Sequence, residues 1–279
     1  MTKQPLSNSP LARGEGNPKI EYENEDLLII DKPAGLPVYS APSHEDEDSV
    51  LKWALGYCPE IKSVGDPQRP GIVHRLDKQT SGLLVLAKNQ KTFEYLKDLF
   101  KTRNINKEYT TLVYGQMPKH GVIDKPLTKI GHEGQSRVRV DESGKASVTE
   151  YWTLQYCSRP LSQPLSSPGE RGLSFSAPPL TRGGIKGEVE PLDRFTLLRV
   201  KLHTGRTHQI RVHLASEKHP VMGDSLYGKP VSQKLSDILP RQFLHASRLE
   251  LQLPDETWLE VESKLPKDLE QTLSQLQQN

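Results

Sequence analysis

An α+β fold built around a largely antiparallel, mixed sheet is what this sequence of 279 residues predicts. Three observations carry the prediction. Several stretches alternate apolar and polar residues with the period of a half-buried strand, and others repeat apolar residues at helical spacing. The two kinds do not follow each other in the regular βαβ order that a doubly wound parallel sheet requires. Hydrophobic residues make up 34% of the chain, enough for a sizeable core at this length.

Taken in order, "KIEYENEDLLIIDKPAGLPV" (19–38) predicts a short strand pair followed by a Pro/Gly loop. "SVLKWAL" (49–55) begins with Ser49 as an N-cap and places Leu51, Ala54 and Leu55 on one helix face. "GIVHRLDKQTSGLLVLAKN" (71–89) reads as two strands separated by a charged turn. "NQKTFEYLKDLFKTR" (89–103) spaces Phe93, Leu96, Leu99 and Phe100 as an amphipathic helix does. "KEYTTLVYG" (107–115) is a strand with Tyr109, Thr111 and Val113 on one face. Further strands are predicted around "SVTEYWTLQY" (147–156) and "RFTLLRVKLHT" (194–204), a short helix at "RTHQIRVHLAS" (206–216), and a last helix at "DLEQTLSQLQQ" (268–278) carrying Leu269, Leu273 and Leu276.

Two segments depart from this pattern: the first residues to about Pro18, and 158–194. Both are rich in Pro, Ser and Gly and lack apolar periodicity, and "PLARGEG" (10–16) echoes "PLTRGG" (179–184). The expectation is a disordered tail over 1–18 and one catalytic domain over 19–279, interrupted by a flexible low-complexity insert at about 158–194. The start of the chain has no signal-like apolar core, and no run approaches the roughly 18 apolar residues of a membrane span, so a cytoplasmic protein without a membrane partner is expected. Cys58 and Cys157 share no metal-ligand spacing and read as reduced packing thiols.

A net charge of +2 does not by itself separate a nucleic-acid binder from other proteins. Its distribution says more. "KDLFKTRNINK" (97–107) holds Lys97, Lys101, Arg103 and Lys107 against Asp98, and "RVKLHTGRTHQIRVH" (199–213) has four basic residues, three histidines and no acid. Such runs suit phosphate where they share a face. His203, His208 and His213 recur every five residues, about 140° apart on a helix, which does not aim them at one ion. Walker, G-x-S-x-G and dinucleotide motifs are lacking. Asp77, in the turn between two apolar runs, is open to two readings from spacing alone: a turn cap beside Thr80, Ser81 and Gly82, or a rigidly held reactive carboxylate.

The ordered set "DKPAGLPV" (31–38), "HRLDKQTSGLLVLAK" (74–88), "KEYTTLVYG" (107–115), "HTGRTHQIRVHLA" (203–215), "HPVMGDSLYG" (219–228) and "LHASRLEL" (244–251) resembles the motifs of RluA-type RNA pseudouridine synthases. The resemblance implies a single catalytic domain that isomerises uridine in structured RNA, ribosomal or transfer, working as a monomer without metal or organic cofactor. Asp77 is by this resemblance the essential carboxylate, Tyr109 the tyrosine that stacks on the target uracil and takes part in moving the C5 proton, and Arg206 the arginine that pairs with Asp77. Arg75 resembles the side chain that fills the place of the extruded base; Lys107, His208 and Gln209 are assigned to RNA binding. DNA is not an expected partner. The sheet starting near Ile20 leaves too little preceding sequence for an S4-like RNA-binding domain. Lys78, Gln79, Tyr39 and Leu251 depart from the usual residues of these motifs and bear on substrate preference. Two alternatives stand beside this reading: a non-catalytic RNA-binding protein on the same scaffold, and a carboxylate glycosidase, which needs a second acid near Asp77, with Asp31, Glu108 and Asp224 available.

Overall fold

The computed structural model describes residues 16–40, 47–131, 137–160, 192–228, Leu239 and 241–278. Most of the expected tail and insert therefore lies outside the described residues.

A mixed sheet organises the chain. Its strands are β1 (Lys19–Glu23), β2 (Leu27–Lys32), β3 (Ser81–Ala87), β4 (Ile105–Tyr114), β5 (His120–Asp124), β8 (Val148–Pro160), β9 (Leu192–Leu202), β10 (Leu244–Gln252), β11 (Trp258–Glu262) and β12 (Gln277–Gln278). The order is β1-β2-β3-β10-β4-β9-β8-β12, with β11 on β10 and β5 on β8. Every pairing is antiparallel except β3 with β10. A separate hairpin joins β6 (Leu127–Ile130) to β7 (Arg137–Val140). The helices are α1 (Val50–Tyr57), α2 (Gln90–Thr102), α3 (Gln209–Ser216) and α4 (Lys267–Ser274). The α+β class with a largely antiparallel sheet is thus the one observed.

Local signals explain most of these elements. Ser49 caps α1 by accepting from the Lys52 N–H, and Asn89 caps α2 by accepting from Thr92. The apolar stripe of α2, Phe93, Leu96 and Leu99, is buried against Leu27, Ile29, Leu83 and Val85 of β2 and β3. On the other face of the sheet, Tyr109, Val200, Ile210, Leu214 and Leu244 share a second core. Leu269 and Leu276 pack with Phe195 and Phe243 in a third.

Three spans differ from the sequence reading. The run "GIV" (71–73) is no strand; it makes a single bridge, Ile72 to Leu86, and the ladder goes no further because the Val85 N–H is taken by the His74 side chain rather than by backbone. The insert is narrower than 158–194, since β8 and β9 stay in register out to Pro160 and Leu192. Leu276 lies just past α4 yet is buried in the same cluster as Leu269.

Among the described residues no helix is long and apolar enough to cross a membrane.

Burial also sets a pH response. His74, His208, His213 and His245 all have pKa values lowered from the usual 6.5, in each case chiefly because burial disfavours the imidazolium. The unfolded chain takes up these protons near pH 6.5 while the folded one holds the rings neutral, so stability is lost as pH falls below that value. Melting curves from pH 7.5 to 5 should show a falling melting temperature, with protons taken up on unfolding; a flat profile would place these rings in water.

Candidate active site

Asp77 sits in a loop fastened on several sides. Its carbonyl accepts from the Thr80 N–H at 3.0 Å, and the next carbonyl, of Lys78, accepts from Gly35 N–H at 2.8 Å. The wholly buried Lys32 donates to the carbonyls of Pro33, Leu36 and Lys78, binding the "DKPAGL" loop to the Asp77 loop. From behind, Gln242 Nε2 donates to Thr80 Oγ1 at 3.0 Å, Arg241 Nη1 to the Gln79 carbonyl at 3.3 Å, and Ser81 shares a hydrogen bond with His245. Gly82, at φ +111°, lies so close to β10 that a Cβ would be 2.3 Å from the Ala246 carbonyl oxygen. Only glycine allows β3 and β10 to meet there. The turn residues named from the sequence thus position Asp77 through tertiary bonds more than through caps within the turn.

The cation that holds Asp77 is Arg211, not Arg206. Arg211 Nη1 donates to Asp77 Oδ2 at 3.0 Å, while its Nε and Nη2 make a bidentate pair with Asp224 at 2.7 and 2.8 Å. Burial pulls the guanidinium's pKa down, but Asp224 and Asp77 outweigh it and hold it above its usual value. Burial likewise pushes the Asp224 carboxyl up, and the bonds from Arg211 and from the backbone N–H groups of Leu226 and Tyr227 reverse that, leaving it below the usual range. Two carboxylates share one guanidinium, so the trio carries a net charge of −1. Arg206 lies ahead of α3, exposed on the cavity wall, with one long contact to the Ala146 carbonyl at 3.4 Å. The reason is the chain path: His208 adopts φ 54° and α3 starts only at Gln209, which turns Arg211 on its first turn toward Asp77.

Gln209 is likewise reassigned. It is buried and saturated: Oε1 accepts from Thr204 and from the Arg206 N–H, and Nε2 donates to Val148 and Thr149, which fixes the 204–209 loop and leaves nothing for RNA. His208 is half-buried beside Asp77, its Nε2 at 3.8 Å from Oδ1, and its Nδ1 shares a 2.9 Å hydrogen bond with Tyr227. Burial keeps it neutral against the pull of Asp77. His203 bonds Glu150, and His213 bonds Thr149 and the Lys125 carbonyl, so the three histidines face three different partners.

Tyr109 is 6% exposed and lines the same cavity as Asp77. Burial, then the nearby Asp77 charge, pushes its pKa above the usual value, so the phenol stays neutral. Arg75 stands at the rim, its Nη1 donating to the Tyr39 hydroxyl at 2.7 Å and its guanidinium 5.2 Å from that ring's centre. Tyr39, a departure from the usual motif, therefore holds Arg75 in place. Lys107 also lines the cavity, its ammonium 4.8 Å from the Phe100 ring centre. The cavity encloses about 470 Å³. It joins Asp77, Tyr109, Arg75, Lys107, His208 and Arg206, all named from sequence, and Arg211, which sequence reasoning passes over although it stands in the same motif.

The arrangement offers one carboxylate, oriented by a buried guanidinium, in the same pocket as a neutral aromatic ring, with room for a nucleobase. Neither Asp31, hydrogen-bonded by Ser263, nor Glu108, beside Arg248, lines the cavity, and Asp224 is sealed by Arg211. A second acid of the kind a glycosidase needs is not among the described lining residues.

Residues 26–216 match the family model described as RNA pseudouridylate synthase. An uncharacterised RNA pseudouridine synthase of Aquifex aeolicus is 37% identical over 79% of this chain and 59% of its own length. The ribosomal large subunit pseudouridine synthase D of Pseudomonas aeruginosa is 37% identical over 94% of this chain and 72% of its own. This chain therefore spans between about three fifths and three quarters of the length of these relatives. A solved human structure, RNA pseudouridylate synthase domain containing 1, superposes with a TM-score of 0.66 over 98% of this chain and 92% of its own at 21% identity, which speaks to the fold. With the matched span covering most of the sheet and both Asp77 and Arg211, the chain belongs to the RNA pseudouridylate synthase family.

Proposed function

We propose that the protein converts a uridine in structured RNA, ribosomal or transfer, to pseudouridine. The observation that carries this reading is that Asp77, held by Arg211 and through it by Asp224, lines one cavity together with Tyr109. The target base leaves its stack and enters the cavity, at a cost of a few kcal/mol. Arg75, a planar cation held at the rim by Tyr39, takes up the vacated space and offsets part of that cost. Asp77 drives cleavage of the bond between C1′ and N1; the freed uracil turns against the Tyr109 ring, and C1′ bonds to C5. The proton lost from C5 balances the one gained at N1, so substrate and product are isomers and no co-reactant is consumed.

Arg211 keeps the carboxylate aimed through the reaction, and Asp224 fixes Arg211 in turn. Tyr109, held neutral in the free protein, stacks on and orients the base. In this reading the enzyme works as a monomer in the cytoplasm.

Pseudouridine mapping across total RNA, with and without the gene, tests the proposal. Signal should vanish at one or a few uridines in ribosomal or transfer RNA when the gene is deleted, and purified protein should restore it. Unchanged maps together with inactive purified protein would leave a non-catalytic RNA-binding protein as the better account.

A further inference from the structure

The cavity walls carry more positive charge than the uridine chemistry uses. Among its described lining residues Asp77 is the lone acid, against Arg75, Lys101, Arg103, Lys107, Arg206 and Arg211. Arg211 is taken up by Asp77 and Asp224, and Arg75 by Tyr39. Uracil is uncharged, so the remaining cations have no counterpart in the base.

They line the wall together with Phe100 and Gly205. Lys107, from β4, lies over Phe100 and would be 3.7 Å from a Cβ on Gly205, while Phe100 stacks on His74 at 4.5 Å. Arg103 enters from the end of α2 and Arg206 from the loop ahead of α3. We propose that this cluster seats one RNA phosphate adjoining the target uridine, with Lys107 as its main counter-ion and Arg103 and Arg206 beside it. The inference rests on the uridine-isomerising reading above.

Three features support it. Lys107 makes no ion pair among the described residues, and burial pushes its pKa down to about 8, so the protein holds a partly dehydrated cation that an entering anion would satisfy. Arg103 occupies the α2 C-cap at φ 65°, a left-handed position where glycine is the usual residue; the strained site puts an arginine on the cavity wall. His74 Nε2 accepts from the Val85 N–H at 3.0 Å, which leaves the neutral ring its proton on Nδ1, a further donor on the same wall. RNA carries its negative charge on its phosphates, and contacts to phosphate fix register without reading sequence. A phosphate held here would place the neighbouring base at Asp77.

The test uses a synthetic RNA hairpin built around the uridine identified by mapping, with wild type, Lys107→Gln and Lys107→Arg as full-length proteins. Pseudouridine formation by wild type on this RNA establishes the activity, so the variants speak to the phosphate alone. Lys107→Gln should raise KM about tenfold, leave kcat within about twofold, and lower the log–log salt slope of binding by about one, with Lys107→Arg restoring most of the affinity. A methylphosphonate at one of the two phosphates flanking the uridine should weaken wild type by a similar factor and Lys107→Gln no further. Loss of kcat instead of KM in Lys107→Gln, or multiplying effects at both flanking phosphates, would overturn the assignment. Melting temperatures equal to wild type confirm that the variants are compared as folded proteins.

Discussion

Asp77→Asn should abolish pseudouridine formation while leaving the protein folded and able to bind RNA. Asparagine keeps the size of the side chain, and its oxygen can still accept from Arg211 Nη1, so the loop need not move. What it removes is the negative charge on which the proposed chemistry depends. Loss of a carboxylate that takes direct part in bond cleavage costs at least about 10⁴-fold in kcat. Because phosphates supply most RNA affinity, Kd should change by no more than about threefold. Tritium release from RNA labelled at uridine C5 reads the chemistry, and filter binding reads the affinity. Activity within about tenfold of wild type would remove Asp77 from the reaction.

Arg211 should give the second large effect, on folding and on chemistry separately. Arg211→Ala strands the Asp224 carboxylate, whose side chain is fully buried, without its bidentate partner. Removing one member of a buried pair costs about 3–5 kcal/mol, a large share of a typical folding free energy. The expected result is a protein that melts many degrees earlier or fails to accumulate. Arg211→Lys separates folding from chemistry. It keeps the charge, but a single ammonium cannot donate a fork to Asp224 and a third bond to Asp77 at once. It should fold and lose about 10²-fold in kcat through a misplaced carboxylate. A Lys variant with full activity would show that Asp77 needs only a nearby positive charge, whatever its geometry.

Much of this site was legible in the sequence because motif order carries information that composition does not. Asp77, Tyr109 and Arg75 follow from the HRLD and KEY segments, and all line the cavity. The exchange of Arg206 for Arg211 has a definite cause. Both stand in "GRTHQIR", and only the left-handed turn at His208 decides which of them leads into α3 toward Asp77. A backbone dihedral of that kind leaves no trace in spacing. Gln209 misleads for a related reason, as a polar residue in an RNA enzyme's motif looks like a ligand contact until its four partners are seen.

The basic run 97–107 suits phosphate only where its members share a face. Lys101, Arg103 and Lys107 do share the cavity, whereas Lys97 points elsewhere, over Phe93. β10 escapes assignment from the sequence because His245, Ser247 and Arg248 interrupt the apolar alternation; His245 is wholly buried, bonded to Ser81 and the Ser263 carbonyl. Pairing energy from its neighbours, rather than local propensity, makes that segment a strand.

The place of β10 has a consequence for how the protein is made. It lies between β3 and β4, both of which leave the ribosome well over a hundred residues before it does. While translation is still under way, the strand that carries Tyr109 and the loop that carries Asp77 have an empty slot between them. Only when Leu244–Gln252 emerges can Ala246 close against Gly82 and Gln242 reach Thr80. Contacts so distant along the chain slow folding. On the proposed reading a nascent chain would carry Asp77 long before it could act, and a premature stop shortly before residue 244 would leave Asp77, Tyr109 and Arg211 all present without the strand that joins their supports.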